Sequence, residues 1–239
     1  MEPKLNLLQM AFGALLLRKD AYAGMRDDAQ RIKRALILVV IVGLLVGVTG
    51  AVGRLAEWAF APPMDKMQEV VLGHLMKMSW YPEMSRNPKA LATFQQQYNL
   101  GWQIARVFAP SPSALVGIIT TPLSLLIVWL IYGLLAHLAA RMLGGQGSAG
   151  QTLACTALAV VPQLFNVVMI LPHVTAAGVG TWTLACNFMA IRSAHGLSGW
   201  RALAATLLPL ALAILVGVLF ACVGLVVGGV ALSQMGGAR

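Results

Sequence analysis

A chain of 239 residues with 59% hydrophobic and only 10% charged residues is no ordinary soluble domain, where about a quarter of residues are charged. The net charge of +9 does not point to nucleic acid, because the basic residues flank apolar runs, where lipid headgroups and membrane topology account for them. Long apolar runs, rather than alternating segments of roughly ten residues, exclude a β-barrel and predict an all-α polytopic membrane protein.

Residues 1–34 read as a cytoplasmic amphipathic and juxtamembrane segment. They are too long and too polar to be the n-region of a signal peptide. Within them Leu5, Leu8, Phe12, Leu15 and Leu16 follow helical spacing, with Asn6 and Gln9 on the other side. This predicts an N-terminal helix lying in the membrane interface or packed on the bundle's own cytoplasmic face. Asp20 is placed to cap the next helix, and Asp27 and Arg31 stand four apart in the favourable order for a pair within one helix. That helix is expected to run straight into the first span.

A membrane domain over 35–232 follows, with five spans at about 35–55, 114–140, 152–171, 174–191 and 204–232. A hydrocarbon core about 30 Å thick needs roughly 20 apolar residues, and the nineteen from Ala35 to Gly53 carry no charge. Gly43 and Gly47 form a stripe for close helix approach, as do Gly224 and Gly228 in the last span; packing within the chain is the expected use. Residues 58–112 form the one sizeable extramembrane loop. Helices are expected at 64–78 and 88–108, and Trp58, Trp80, Tyr81, Tyr98 and Trp102 suit the headgroup level.

Pro122, with Thr120, Thr121 and Ser124, predicts a kink in the second span whose freed carbonyls meet hydroxyls. Gly144-Gly145-Gln146-Gly147 lacks the Lys-Ser/Thr of a phosphate loop and reads as a turn. Pro162, Gln163 and Asn166 fall inside the third span and Asn187 inside the fourth, with only Pro172-His173 between the two. The fourth span therefore turns back antiparallel, and the amides can meet as structural glue or as a polar path.

Three cysteines without C-x-x-C spacing read as small packing residues. His137 is the best-placed single ligand for a haem iron or chlorophyll magnesium, but the expected role is a hydrogen bond within the bundle. His195 is expected to meet headgroups or helix C-terminal carbonyls. All eight acidic residues lie in the first 83 positions, which weighs against proton-coupled transport and intramembrane carboxylate chemistry. No catalytic set, metal site or cofactor is expected. The chain is thus expected not to be an enzyme.

With five spans, ten Lys or Arg fall on the N-terminal side and seven opposite, six of these in or beside the long loop. The positive-inside rule then places the N-terminus in the cytoplasm, with the C-terminus and loop 58–112 across a cell membrane.

The runs "LIYGLLAHLAARMLGGQGSAGQTLACTALAVVPQLF" from Leu130 and "WTLACNFMAIRSAHGLSGWRALAATLLP" from Trp182, with the lead-in "LLLRKDAYAGMRDDAQRIKRALILVV" from Leu15, resemble the Yip1-domain family in its prokaryotic form. The order of turns and prolines carries the likeness. The resemblance implies five transmembrane helices with a cytoplasmic N-terminus. Eukaryotic relatives engage small Rab-type GTPases, but their Asp-Leu-Tyr-Gly-Pro-type motif is not found here, which argues against a small GTPase partner. Lipids and other integral membrane proteins are the expected partners, in a scaffold or accessory role. A small carrier or lipid-moving protein is the alternative, and a cofactor-binding subunit ranks third.

Overall fold

The computed structural model describes residues 6–108 and 112–236, with side chains described over 6–107 and 114–223. Its described elements are helical. In chain order they are α1 (Leu7–Leu15), α2 (Lys19–Asp27), α3 (Arg31–Phe60), α4 (Met64–Met76), α5 (Tyr81–Ser85), α6 (Pro88–Phe108), α7 (Gly117–Met142), α8 (Ala149–Leu158), α9 (Val179–His195) and α10 (Gly199–Gly236). 3₁₀ segments lead into α7 at Pro112–Val116 and follow α8 at Val161–Ile170.

Among the described residues, four stretches are long and apolar enough to cross a membrane: Arg31–Phe60, Ala114–Met142, Ala149–Ile170 and Gly199–Val223. The fourth expected span is shorter. Its helix does not begin at 174 but at Val179, and its 17 residues sit at the short end of what a bilayer requires. The reason is the connection. Instead of the dipeptide Pro172-His173, the chain turns through Leu171–Gly178, with His173 and Gly178 both in the left-handed region.

The third span also departs from a continuous α-helix. Ser148 and Gln151 form a reciprocal capping box that starts α8, and the α-helix stops at Leu158, ahead of Pro162. Proline supplies no N–H and crowds the carbonyl four residues back, so the chain continues as 3₁₀ turns. Ten residues is long for such a segment.

The chain divides into two compact units. One comprises Met1–Gly47, Ile119–Val167 and Ala176–Arg239; the other Val48–Ile118 and Val168–Thr175. The first has a core of Met10, Ala14, Tyr22, Met25, Val39, Cys155, Leu158 and Ala190. In α3 the buried positions Ala35, Leu38, Val39 and Val42 repeat at helical spacing. At Gly43 α7 approaches closely: a Cβ there would sit 2.5 Å from the Cα of Pro122. Gly43 of that stripe thus meets α7 of the same chain, and Gly47 is buried. Ser124 Oγ donates to the carbonyls of Thr120 and Thr121 beside that proline.

The N-terminal helices form a hairpin docked along α8 and α9. Trp182 Nε1 donates to the Leu15 carbonyl at 3.0 Å, and Arg26 donates to the Ser193 carbonyl at 3.1 Å. Those contacts are eleven residues apart on α9, about 16 Å along its axis at 1.5 Å per residue. α1 therefore packs against the helices of its own unit. Met10, Ala11, Gly13 and Ala14 are buried, while Leu8 and Phe12 are 80% and 65% exposed.

Two local expectations are corrected in this region. Asp20 does not cap α2; it sits in the first turn and pairs with Arg18 at 2.6 Å. Nor does α2 run into α3. The chain breaks at Asp28–Gln30, so Asp27 pairs with Arg26 and Asp28 with Arg34.

The second unit holds α4, α5 and α6, close to the expected bounds. Trp80, Tyr81, Phe94, Tyr98 and Trp102 stack edge-to-face or in parallel with centroids about 6 Å apart. Arg106 pairs with Asp65 at 2.6 Å between α6 and α4. Trp58 lies outside that aromatic cluster.

Candidate functional site

The first unit contains a cavity of about 410 Å³ bounded by α7, the end of α8 and the 3₁₀ segment after it, α9, and Leu210 of α10. Leu125, Val128, Val160, Leu184 and Leu210 make most of its wall. Its polar groups are few and mostly committed. Trp129 Nε1 donates to the Leu153 carbonyl at 3.1 Å, and the Thr156 hydroxyl donates to the same carbonyl. Tyr132 donates to the Thr206 carbonyl at 3.2 Å.

Gln163 and Asn187 both line this cavity, and Asn166 reaches it through Gln163. Asn166 Nδ2 donates to Gln163 Oε1 at 2.8 Å, and Gln163 Nε2 donates to Thr183 Oγ1 at 3.4 Å. Gln163 and Asn166 thus form a bonded pair across one turn of the same segment. Asn187 stands apart from them. It is 9% exposed, and its Oδ1 is buried without a hydrogen-bond partner. Pro162 is buried and ends α8, which turns Gln163 into the cavity wall.

A second polar cluster lies where α7, α8 and α9 end. His195 Nδ1 accepts from the Gly147 N–H at 3.2 Å, so the ring proton sits on Nε2, which donates to Thr152 Oγ1 at 2.8 Å. The Thr152 hydroxyl donates to the Ser148 carbonyl, leaving its second lone pair for His137 Nδ1 at 3.1 Å. The two imidazole rings lie 5.3 Å apart. His195 closes α9 beyond the apolar span. Burial, with His137 and Arg141 nearby, holds its pKa down to about 4, so it is neutral.

His137 therefore makes the bundle hydrogen bond expected of it. His195 corrects its expectation: it is 4% exposed and ties α9 to the Gly144–Gly147 turn instead of facing headgroups. The glycines of that turn have a steric reason. A Cβ on Gly145 would meet His195 Nδ1 at 2.7 Å, and one on Gly147 would overlap the Ala194 carbonyl. Among the described residues no group of three His, Cys, Asp or Glu side chains is placed to hold a metal ion. Cys155 and Cys186 are buried packing residues, whereas Cys222 is exposed on α10.

Gly224 and Gly228 lie on the last part of α10, whose side chains fall outside the described residues. The preceding part is unusual. Every residue from Leu210 to Val223 is exposed, on all faces of the helix, although the start of α10 buries Ala202, Ala205 and Thr206 against its neighbours.

A family model described as the Yip1 domain matches residues 12–221. The chain belongs to the Yip1-domain family. That match runs from α1 through the exposed half of α10 and includes the cavity and the histidine cluster of this Yip1-domain protein. Comparisons with curated proteins and with solved structures each found no match.

Proposed function

We propose that this Yip1-domain protein is a non-enzymatic, five-span protein of the cell membrane that serves as a scaffold or accessory subunit. Its N-terminus is cytoplasmic and α9 is the fifth, short span. Lipid and another integral membrane protein are its partners. What supports the reading most is the free half of α10. A helix that belongs to a bundle buries one face in it, yet beyond Leu210, which lines the cavity, Ala211–Val223 buries none. In lipid, helices associate through close packing of small residues. Ala213, Gly217 and Ala221 recur every fourth position on this free half, and a Cβ on Gly217 would meet nothing within 4 Å. Gly217→Leu can therefore spoil an approach surface without disturbing the chain's own packing. Extraction in mild detergent followed by mass spectrometry should recover a reproducible partner from the wild type and lose it from Gly217→Leu. A clean monomer in both would sink the proposal.

A second reading, carriage of an amphiphile, is favoured by the cavity and its amides. Reconstituted vesicles would show lipid or solute flux that Gln163→Leu and Asn166→Leu reduce. Flux unchanged by both substitutions would remove the polar path.

A further inference from the structure

Carbonyls in the last turn of a helix have no partner within it, and in water solvent serves them. In lipid they must find protein donors. Gly13, Ala14 and Leu15 close α1, and the carbonyl of each is met. That of Gly13 accepts from the Arg18 N–H at 2.9 Å. That of Ala14 accepts from the Leu17 N–H at 3.0 Å, the Tyr22 hydroxyl at 3.4 Å and the Cys186 thiol at 3.5 Å. That of Leu15 accepts from the Trp182 indole at 3.0 Å. Two of these donors come from α9.

The outer side of α1 is apolar as well. From Leu7 to Leu17 the one polar side chain is Gln9, in the first turn, where its Oε1 accepts from the Asn6 N–H. Met10, Ala11, Gly13 and Ala14 are buried, while Leu8, Phe12 and Leu16 form an outward ridge, with Leu16 59% exposed. A helix resting at the membrane surface carries a strongly polar face. Opposite the packed face of α1 stands this ridge instead.

The direction of the hairpin is set by its contacts. Arg26, in the last turn of α2, meets Ser193 near the end of α9, whereas Leu15 meets Trp182 about 16 Å earlier along it. Between these levels the Tyr22 carbonyl accepts from Cys155 Sγ, seven residues or about 10 Å along α8 from its cap Ser148. A Cβ on Gly13 would sit 2.8 Å from that of Ala21, so glycine lets α1 and α2 lie close.

We infer that α1 and α2 form a re-entrant hairpin. It enters the cytoplasmic leaflet alongside α9, turns at Leu16–Arg18 and leaves on the same side, with Leu8, Phe12 and Leu16 against acyl chains. This goes beyond the scaffold reading but rests on its placement of α9 as a span. The charges at the tip fit that depth. Arg18 donates to Asp20 through two nitrogens, at 2.6 and 3.2 Å, so the two charges offset each other. α9 begins only three residues before Trp182, and its 17 residues cover about 25 Å against a core of about 30 Å. A short span is matched by local thinning of the bilayer, which brings the far headgroups toward Arg18 and Lys19.

Spin labels at two depths test it. Leu8→Cys and Leu16→Cys, each in a Cys222→Ser background, place a nitroxide on the outward ridge, since Cys155 and Cys186 are buried. The full chain is reconstituted in lipid vesicles. Depth is read by comparing collisions with oxygen, which concentrates among acyl chains, and with a water-soluble nickel chelate. The label at 16 should lie deeper than the label at 8 by about 12 Å, eight residues at 1.5 Å each. A difference smaller than one turn, about 5 Å, means a helix lying flat or in water and overturns the inference.

Ala177→Cys in the same background separates this result from the placement of α9, because Ala177 is exposed in the turn before that helix. A membrane-impermeant maleimide added to intact cells should label it. Labelling at Ala177→Cys together with a flat α1 removes the hairpin and leaves the span. Labelling only after the cells are opened removes the span, and the hairpin falls with it.

Discussion

Gly147 has no room for a methyl group, because a Cβ there would run into the carbonyl of Ala194. Gly147→Ala should lower the thermal stability of the detergent-solubilised protein by an amount typical of overpacking, about 1–3 kcal/mol. Gly73, in α4, has open space around it, so Gly73→Ala should not destabilise and serves as the control. His195 makes a second prediction. The free imidazole titrates near 6.5 and the buried one near 4, so the unfolded chain binds the extra proton between those values. His195 thus contributes stability that is complete above about pH 6.5 and is lost as pH falls toward 4. Melting temperature should drop over that window in wild type and drop less in His195→Asn. A pH profile identical in the two proteins would contradict the neutral, bonded imidazole. From sequence, a histidine after Arg192 in a basic turn reads as headgroup-facing. The glycines fifty and forty-eight residues before it that leave room for it, Gly145 and Gly147, carry no local sign of that pairing.

The helices were the most legible level, and their interruptions were the least. Continuous apolar runs and basic flanks located α3, α7 and α10 within a few residues. α8 and α9 differ because each is shaped by a break. Pro162 turns the second half of its span into 3₁₀ geometry, and the Leu171–Gly178 turn delays α9 by five residues. Both signals lie in the sequence, but proline marks a break without saying how the chain resumes. Asn6 and Gln9, read as the polar side of an amphipathic helix, instead form a capping box with bonds of 2.8 and 2.9 Å. That spacing is a recognisable start signal. The α1–α2 hairpin was partly legible. Its amphipathic face was visible, but Asn6-to-Leu17 periodicity says nothing of which neighbour the face meets. Tyr22 is fully buried where the hairpin meets α8 and α9, and its hydroxyl donates to the Ala14 carbonyl. Tyr22→Ala should therefore cost about 3–5 kcal/mol and expose the segment before α3 to limited proteolysis. Protease resistance equal to wild type would mean that the hairpin is held elsewhere.

At the scale of the whole molecule, the cavity of the first unit and the cluster of ring nitrogens are both lined by uncharged side chains among the described residues. Of the amides that sequence placed in the third and fourth spans, Gln163 and Asn187 line the cavity and Asn166 bonds to Gln163. Which of them is left without a partner could not be read from residue type, because it depends on where Thr183 and Asn166 fall relative to Gln163. The free half of α10 was also invisible in sequence, since an apolar helix packed on one face and one packed on none have the same composition. Association through that half is the central claim, and Cys222 provides the means to test it. Cys155 and Cys186 are buried, so a thiol-reactive photocross-linker applied to intact membranes reports on exposed Cys222 among the described residues. With benzophenone maleimide, the account predicts one discrete cross-linked protein band that disappears in Cys222→Ser and weakens in Gly217→Leu. Adducts to lipid alone, with no protein band in any variant, would contradict it.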